Sequence, residues 1–218
     1  MSWGCKMGEL IRKTWKDTVA QYLIDNGKNI VDYATPLGLC KKALETIEEH
    51  NRDRFIQEVL DGLKDVDTTS LDAEKSLKRL YKSVQVIAKA MTQDKLNRFK
   101  NLTINGIINQ NNLSDNDYET YLNIVDKLTD DEFIYLYNLV KTIPQKSYQY
   151  DEFRELYNFA ITKLKKDFNF NDDKILYIRN SLVGHGLLDY VLTYGGNQIG
   201  KITDIAYLFI KYVDNGIL

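Results

Sequence analysis

Apolar residues recur at three- and four-residue spacing through most of the chain, which is the periodicity of an amphipathic helix. The stripe is most continuous from Leu77 to Met91. Only 2 prolines occur in 218 residues, and because proline interrupts helices their scarcity favours long helices over many short strands. The sequence therefore predicts a mainly α fold, a multi-helix body of about eight helices.

Several helix starts are marked by side chains that accept hydrogen bonds from otherwise unpaired backbone amides. Thr129 with Glu132 has the spacing of a capping box, and Ser114 with Asp117 has a looser version of it. Thr92 and Thr203 stand where two further helices are expected to begin. Helix ends are predicted at Asn26-Gly27 and at Ile143-Pro144.

The periodicity changes after Gly186. Two β-prone segments, residues 188–194 and 198–202, flank the turn Gly195-Gly196-Asn197, which is typical of a β-hairpin. A helix predicted from Asp172 to Val183 precedes the hairpin, and a capped helix follows it. This order predicts a helical body at residues 1–145 and a winged-helix-like C-terminal unit at residues 146–218, or one continuous domain containing both.

Sites for catalysis or metal binding are not evident. The two histidines, His50 and His185, have neither a nucleophile nor a metal-binding partner nearby in the sequence. Cys5 and Cys40 are too few for a disulfide framework and lack the spacing of a zinc site. With no signal peptide or membrane-spanning stretch in view, we expect a cytosolic, non-enzymatic protein without a metal or other cofactor.

Charge is unevenly distributed although the formal net charge is only -2. Residues 74–100 contain eight basic and two acidic residues, and residues 114–132 contain seven acidic and one basic. Lys75, Arg79, Lys82 and Lys89 lie at helical spacing on one face. They form either a phosphate-binding surface with salt-dependent affinity or a face that compensates the acidic segment; the lack of interleaved aromatics favours compensation.

The C-terminal unit has few cations for a nucleic-acid-binding module. Lys174 and Arg179 lie on the predicted recognition helix, and Lys201 lies on the wing. Residues 151–218 contain eight basic and nine acidic residues, whereas a dedicated DNA-binding winged helix has a clear basic surface. The near-equal numbers of basic and acidic residues favour a protein-binding or structural use of the unit.

Several segments resemble helical proteins of bacterial and phage mobile elements, among them the alpha-type abortive-infection proteins. The resemblance rests on residues 51–55, 77–107 and 121–128, on Gly186-Leu187-Leu188, and on residues 202–207. It implies a helix-rich body followed by a strand pair and a last helix, and it brings no catalytic residues with it. Two departures are His185, where a small residue is expected, and Ala206, where glycine is common.

These observations lead to two functional hypotheses. The first is a non-enzymatic cytosolic interaction protein of phage-defence or mobile-element context that binds a protein partner. The alternative is a nucleic-acid-binding regulator that uses Lys174, Arg179 and Lys201, with or without the face from Lys75 to Lys89. Neither hypothesis involves a membrane, and the sequence leaves the partner and the oligomeric state open.

Overall fold

The computed structural model describes residues 51–64, 66, 71–87, 92–146, 149–192 and 198–214. The helices predicted before residue 50, His50, both cysteines, Lys89 and the turn Gly195-Gly196-Asn197 lie outside the described residues. The described part is mainly helical, with eight helices and a two-stranded antiparallel sheet near the C-terminus. This confirms the predicted mainly α class.

The elements follow one another with short connections. Helix α1 occupies residues 51–62. The others are α2 (Ala73–Ile87), α3 (Gln93–Ile108), α4 (Asp115–Lys127), α5 (Asp130–Thr142), α6 (Tyr150–Phe168), α7 (Asp172–Gly184), β1 (Leu188–Leu192), β2 (Gln198–Ile202) and α8 (Asp204–Val213). The order of helix, two strands and helix at the C-terminal end is the one the sequence predicts.

The predicted caps are present. Thr129 accepts from the amide of Glu132, and the Glu132 carboxylate accepts from the amide of Thr129 at 2.7 Å, which completes a capping box. The side chains of Thr92 and Thr203 likewise accept from amides in the first turns of α3 and α8. Each cap satisfies an amide that the helix itself leaves unpaired, which explains why local sequence fixes these helix starts.

The described residues form two compact units that divide between Glu119 and Thr120, within α4. The sequence pattern predicts a division after residue 145 instead. In the second unit α5 packs on α6, α7 and α8, which groups it with the C-terminal elements. The core of that unit includes Leu136 and Leu139 of α5 and Leu182 of α7, all 0% exposed.

The first unit has a partly polar core on α2. The spacing assigns Tyr81 to the apolar stripe, but Tyr81 is 46% exposed, whereas Ser83 and Arg79 are buried. The Ser83 hydroxyl lies 2.7 Å from the Thr103 hydroxyl and 2.6 Å from that of Tyr118. Since each buried hydroxyl has a partner, the unit accommodates these polar groups without the penalty of an unpaired one.

Gly106 provides the space for the Tyr118 ring. A Cβ added at Gly106 would lie 2.6 Å from Tyr118 Cε2, and the ring is 1% exposed with its hydroxyl bound by Ser83 and Thr103. We expect Gly106→Ala to destabilise the protein by about 1–3 kcal/mol, because overpacking outweighs the better helix propensity of alanine. Urea unfolding monitored by circular dichroism measures this change.

Gly184 is the matched control for that substitution. It is also helical, but a Cβ added there meets no atom within 4 Å. Gly184→Ala should therefore be neutral or stabilise by up to about 1 kcal/mol. Equal effects of the two substitutions would contradict a packing role for Gly106.

Candidate functional site

The basic face of α2 lies against acidic and carbonyl groups of the first unit. Lys78 Nζ is 3.2 Å from Asp115 Oδ2, and Lys82 is paired with Glu119. Lys75 Nζ donates to the main-chain oxygen of Gln110 at 2.6 Å. The basic face is therefore partly compensated within this unit, by Asp115 and Glu119 at the start of the acidic segment.

Arg79 is buried rather than displayed on that face; its side chain is 1% exposed. Its guanidinium donates to the main-chain oxygen of Gly106, to that of Leu113 at 2.6 Å, and to Asp115 Oδ1 at 3.1 Å. Burial by itself would raise the pKa of Asp115, but hydrogen bonds from Arg79 and Lys78 outweigh it and hold that pKa below its usual value. Arg79 thus joins α2 to the end of α3 and the start of α4.

The three cations predicted for the C-terminal unit differ in their surroundings. Lys174 Nζ is 2.8 Å from Asp131 Oδ2 and 4.1 Å from the centroid of the Phe170 ring. Arg179 is half-buried, and its Cγ lies 3.5 Å from the position that a Cβ would take on Gly200 of β2. Lys201 is exposed and forms no ion pair with another described residue. Two of the three cations are therefore held against neighbouring elements.

The outward side of α7 exposes large apolar side chains. Tyr177 is 72% exposed and Leu176 is 47% exposed, while Ile175, Ile178 and Leu182 of the same helix are buried against the unit. We call the outward set, with its neighbour on β1, the α7/β1 face: Asp173, Leu176, Tyr177, Asn180 and Tyr190. Its helical members are spaced by three or four residues and so lie side by side.

Tyr190 extends this face from the helix to the hairpin. It is 42% exposed, and its hydroxyl donates to Asn180 Oδ1 at 2.6 Å. It pairs across the sheet with Gly200, which has no side chain, and Arg179 packs against that glycine. The hairpin therefore lies against α7 at Gly200, and the hydrogen bond to Asn180 holds Tyr190 beside the exposed helix residues.

Glu132 of α5 is hydrogen-bonded to the C-terminal end of α7. The residue is 4% exposed, and it accepts from the Ser181 hydroxyl as well as from the amide and hydroxyl of Thr129. Burial by itself would raise the pKa of Glu132, but these hydrogen bonds and the nearby His185 outweigh it and lower the pKa. The carboxylate therefore caps the start of α5 and orients the last turn of α7, which ends at Gly184 and is followed by the capping residue His185.

The described ranges contain neither a metal-binding cluster nor a membrane-spanning helix. Within residues 51–214, apart from the undescribed gaps, no group of three or more His, Cys, Asp or Glu side chains is arranged to hold a metal ion. Over the same residues, no helix combines the length and the apolar character needed to cross a membrane. Among the features described, the α7/β1 face is the candidate for recognition.

Sequence reasoning missed this face although a signal for it was present. Residues 172–183 were predicted to form a recognition helix, with Lys174 and Arg179 as its candidate residues and no role assigned to its apolar ones. Ile175, Ile178 and Leu182 already account for a buried side of the helix, so Leu176 and Tyr177 form a second apolar side that needs its own explanation. The position of Tyr190 beside Asn180 depends on the path of the hairpin and had no such signal.

Comparisons with protein-family models, with curated proteins and with solved structures found no match to this chain.

Proposed function

We propose that the chain is a protein-interaction module that binds its partner through the α7/β1 face. The observation that carries the proposal is the exposure of Tyr177, Leu176 and Tyr190, which all adjoin Asn180 through helix spacing or a hydrogen bond. Scattered apolar residues are normal on a protein surface, but a contiguous aromatic group is typical of a binding site. Tyrosine is also enriched among the residues that contribute most to interfaces.

The arrangement of α7, hairpin and α8 supports a winged-helix-like unit in which the helix before the wing makes the contact. A protein partner fits this use better than nucleic acid. Asp172 and Asp173 occupy the first turn of α7, and Lys174 and Arg179 are held against neighbouring elements. A phosphate backbone needs cations on the contacting surface, and the outward side of α7 lacks them among its described residues.

The resemblance to mobile-element proteins supplies the biological context of the proposal. A non-enzymatic, cytosolic interaction protein in phage defence would act by engaging another protein, and the α7/β1 face is where we place that contact. The resemblance by itself supports this context; the face supports the mode of action.

The proposal predicts that binding depends on Tyr177. Short random peptides displayed in a library are selected on the wild-type protein, and the affinities of the enriched peptides are measured by fluorescence anisotropy. We expect Tyr177→Ala to lower the affinity for the enriched peptides about 30-fold, because the substitution removes an aromatic residue central to the interface. Stability should change by no more than about 0.5 kcal/mol, because the side chain is exposed.

Phe159→Ala is the matched control. Phe159 is 64% exposed on α6, comparable with Tyr177, and is not part of the α7/β1 face. We expect this variant to bind the same peptides as tightly as the wild type. Equal weakening by both substitutions, or no enriched peptide that depends on Tyr177, would remove the support for the proposed face.

The same preparation tests the alternative directly. Duplex and single-stranded DNA are titrated by fluorescence anisotropy at low salt, where electrostatic attraction is least screened. We expect no binding. Micromolar binding that falls steeply with salt, and that is lost in Lys201→Glu, would favour the nucleic-acid-binding regulator instead.

A further inference from the structure

We infer that the partner of the α7/β1 face is a short apolar segment of a protein that carries a lysine or arginine next to its apolar residues. This inference rests on the proposed function and adds the chemistry of the partner to it. Two properties of the face lead to it: its size, and the charge at its N-terminal end.

The face is too small for an extended interface. An aromatic side chain buries about 150–250 Å², so the exposed fractions of Tyr177, Leu176 and Tyr190 amount to roughly 300 Å². A stable complex of two folded proteins buries about 800 Å² on each partner. A second copy of this chain meeting through the face alone would therefore bury too little, whereas a short segment with two or three apolar side chains covers it.

The exposed carboxylate of Asp173 favours a basic group on the partner, since the neighbouring Lys174 is already paired with Asp131. Asp173 lies three and four residues before Leu176 and Tyr177, so its carboxylate is beside them on the helix. It is exposed and forms no ion pair with another described residue, whereas its neighbour Asp172 is paired with Lys165 at 2.5 Å. A lysine or arginine of the partner can form an ion pair with Asp173 at the N-terminal end of α7. An acidic residue of the partner would be repelled there.

The experiment uses the full chain and the displayed random peptides as probe, with the wild type, Tyr177→Ala and Asp173→Lys selected in parallel. We expect peptides whose enrichment depends on Tyr177 to contain two or more apolar residues and an excess of lysine or arginine. Exchanging that basic residue for glutamate should weaken binding to the wild type by up to about fivefold. On Asp173→Lys the preference for basic peptides should disappear or reverse.

The outcomes separate this inference from the proposed function. Enriched peptides that depend on Tyr177 but have no excess of basic residues would overturn the inference and leave the proposed function in place. Enrichment that is independent of Tyr177 would overturn both. Sedimentation of the unliganded chain as a dimer that Tyr177→Ala dissociates would overturn the inference in favour of a second copy as occupant.

Discussion

Replacing Arg79 by methionine is expected to lower the free energy of unfolding by about 3–5 kcal/mol, a large effect for a single substitution. Methionine fills much of the same volume, so the effect isolates the loss of the guanidinium. That group donates to the main-chain oxygens of Gly106 and Leu113, and methionine has no hydrogen-bond donor to offer them instead.

The loss of stability is large because Gly106 and Leu113 are both buried. Gly106 O belongs to the last turns of α3, where carbonyl groups have no amide of the same helix to bind. A buried carbonyl left without a donor costs about 1–3 kcal/mol. The loss of the Arg79–Asp115 ion pair costs less free energy, because a third of the Asp115 side chain is exposed and Lys78 remains beside it.

Lys78→Met provides the control. Lys78 pairs with the same carboxylate, but its side chain is 54% exposed, so this variant should lose no more than about 1 kcal/mol. Urea unfolding of both variants, monitored by circular dichroism, measures the difference. If Arg79→Met were no less stable than Lys78→Met, Arg79 would not be the connector of α2, α3 and α4 that its contacts indicate.

Glu132→Ala is expected to destabilise the protein by about 2–4 kcal/mol. The substitution removes the capping box at the start of α5 and leaves the Ser181 hydroxyl without its acceptor. Since Ser181 lies in the last turn of α7, binding at the α7/β1 face should weaken as well. Circular dichroism in urea gives the stability, and peptide anisotropy gives the affinity.

Glu132→Gln separates the charge from the hydrogen bonds. Glutamine also completes a capping box and keeps one acceptor oxygen, so this variant should lose only about 1 kcal/mol. If the alanine and glutamine variants lost equal amounts of unfolding free energy, the contribution of Glu132 to stability would come from the carboxylate charge and not from the cap.

The pH dependence of that contribution has a definite sign. The folded state lowers the pKa of Glu132, so ionised Glu132 stabilises the protein above the unfolded value near 4.5. The contribution is lost as the pH falls below that value and through the lower pKa of the folded state. The stability difference between the wild type and Glu132→Gln should therefore be constant near neutral pH and shrink under acidic conditions. A difference that grows on acidification would contradict the lowered pKa.

Much of the architecture could be predicted because local sequence determines it. A capping side chain and the amide it binds are three residues apart, as in Thr129 and Glu132, so the start of α5 is encoded in four consecutive positions. The hairpin was predicted for the same reason, since β-prone arms around glycine form a local pair. The buried side of α2 was predicted less well, because periodicity treats serine and arginine as outward residues.

The sequence by itself determined the mainly helical class, the helix boundaries near the capping residues, and the succession of helix, hairpin and helix at the C-terminal end. Tertiary structure alone decided that Arg79 is buried, because the carbonyl groups it binds lie 27 and 34 residues away along the chain. It likewise brought Tyr190 to Asn180 and Ser181 to Glu132. Hydrogen bonds within one helical turn can be predicted from the spacing of residues in the sequence. Hydrogen bonds between elements depend on how the elements pack, and residue spacing does not determine that packing.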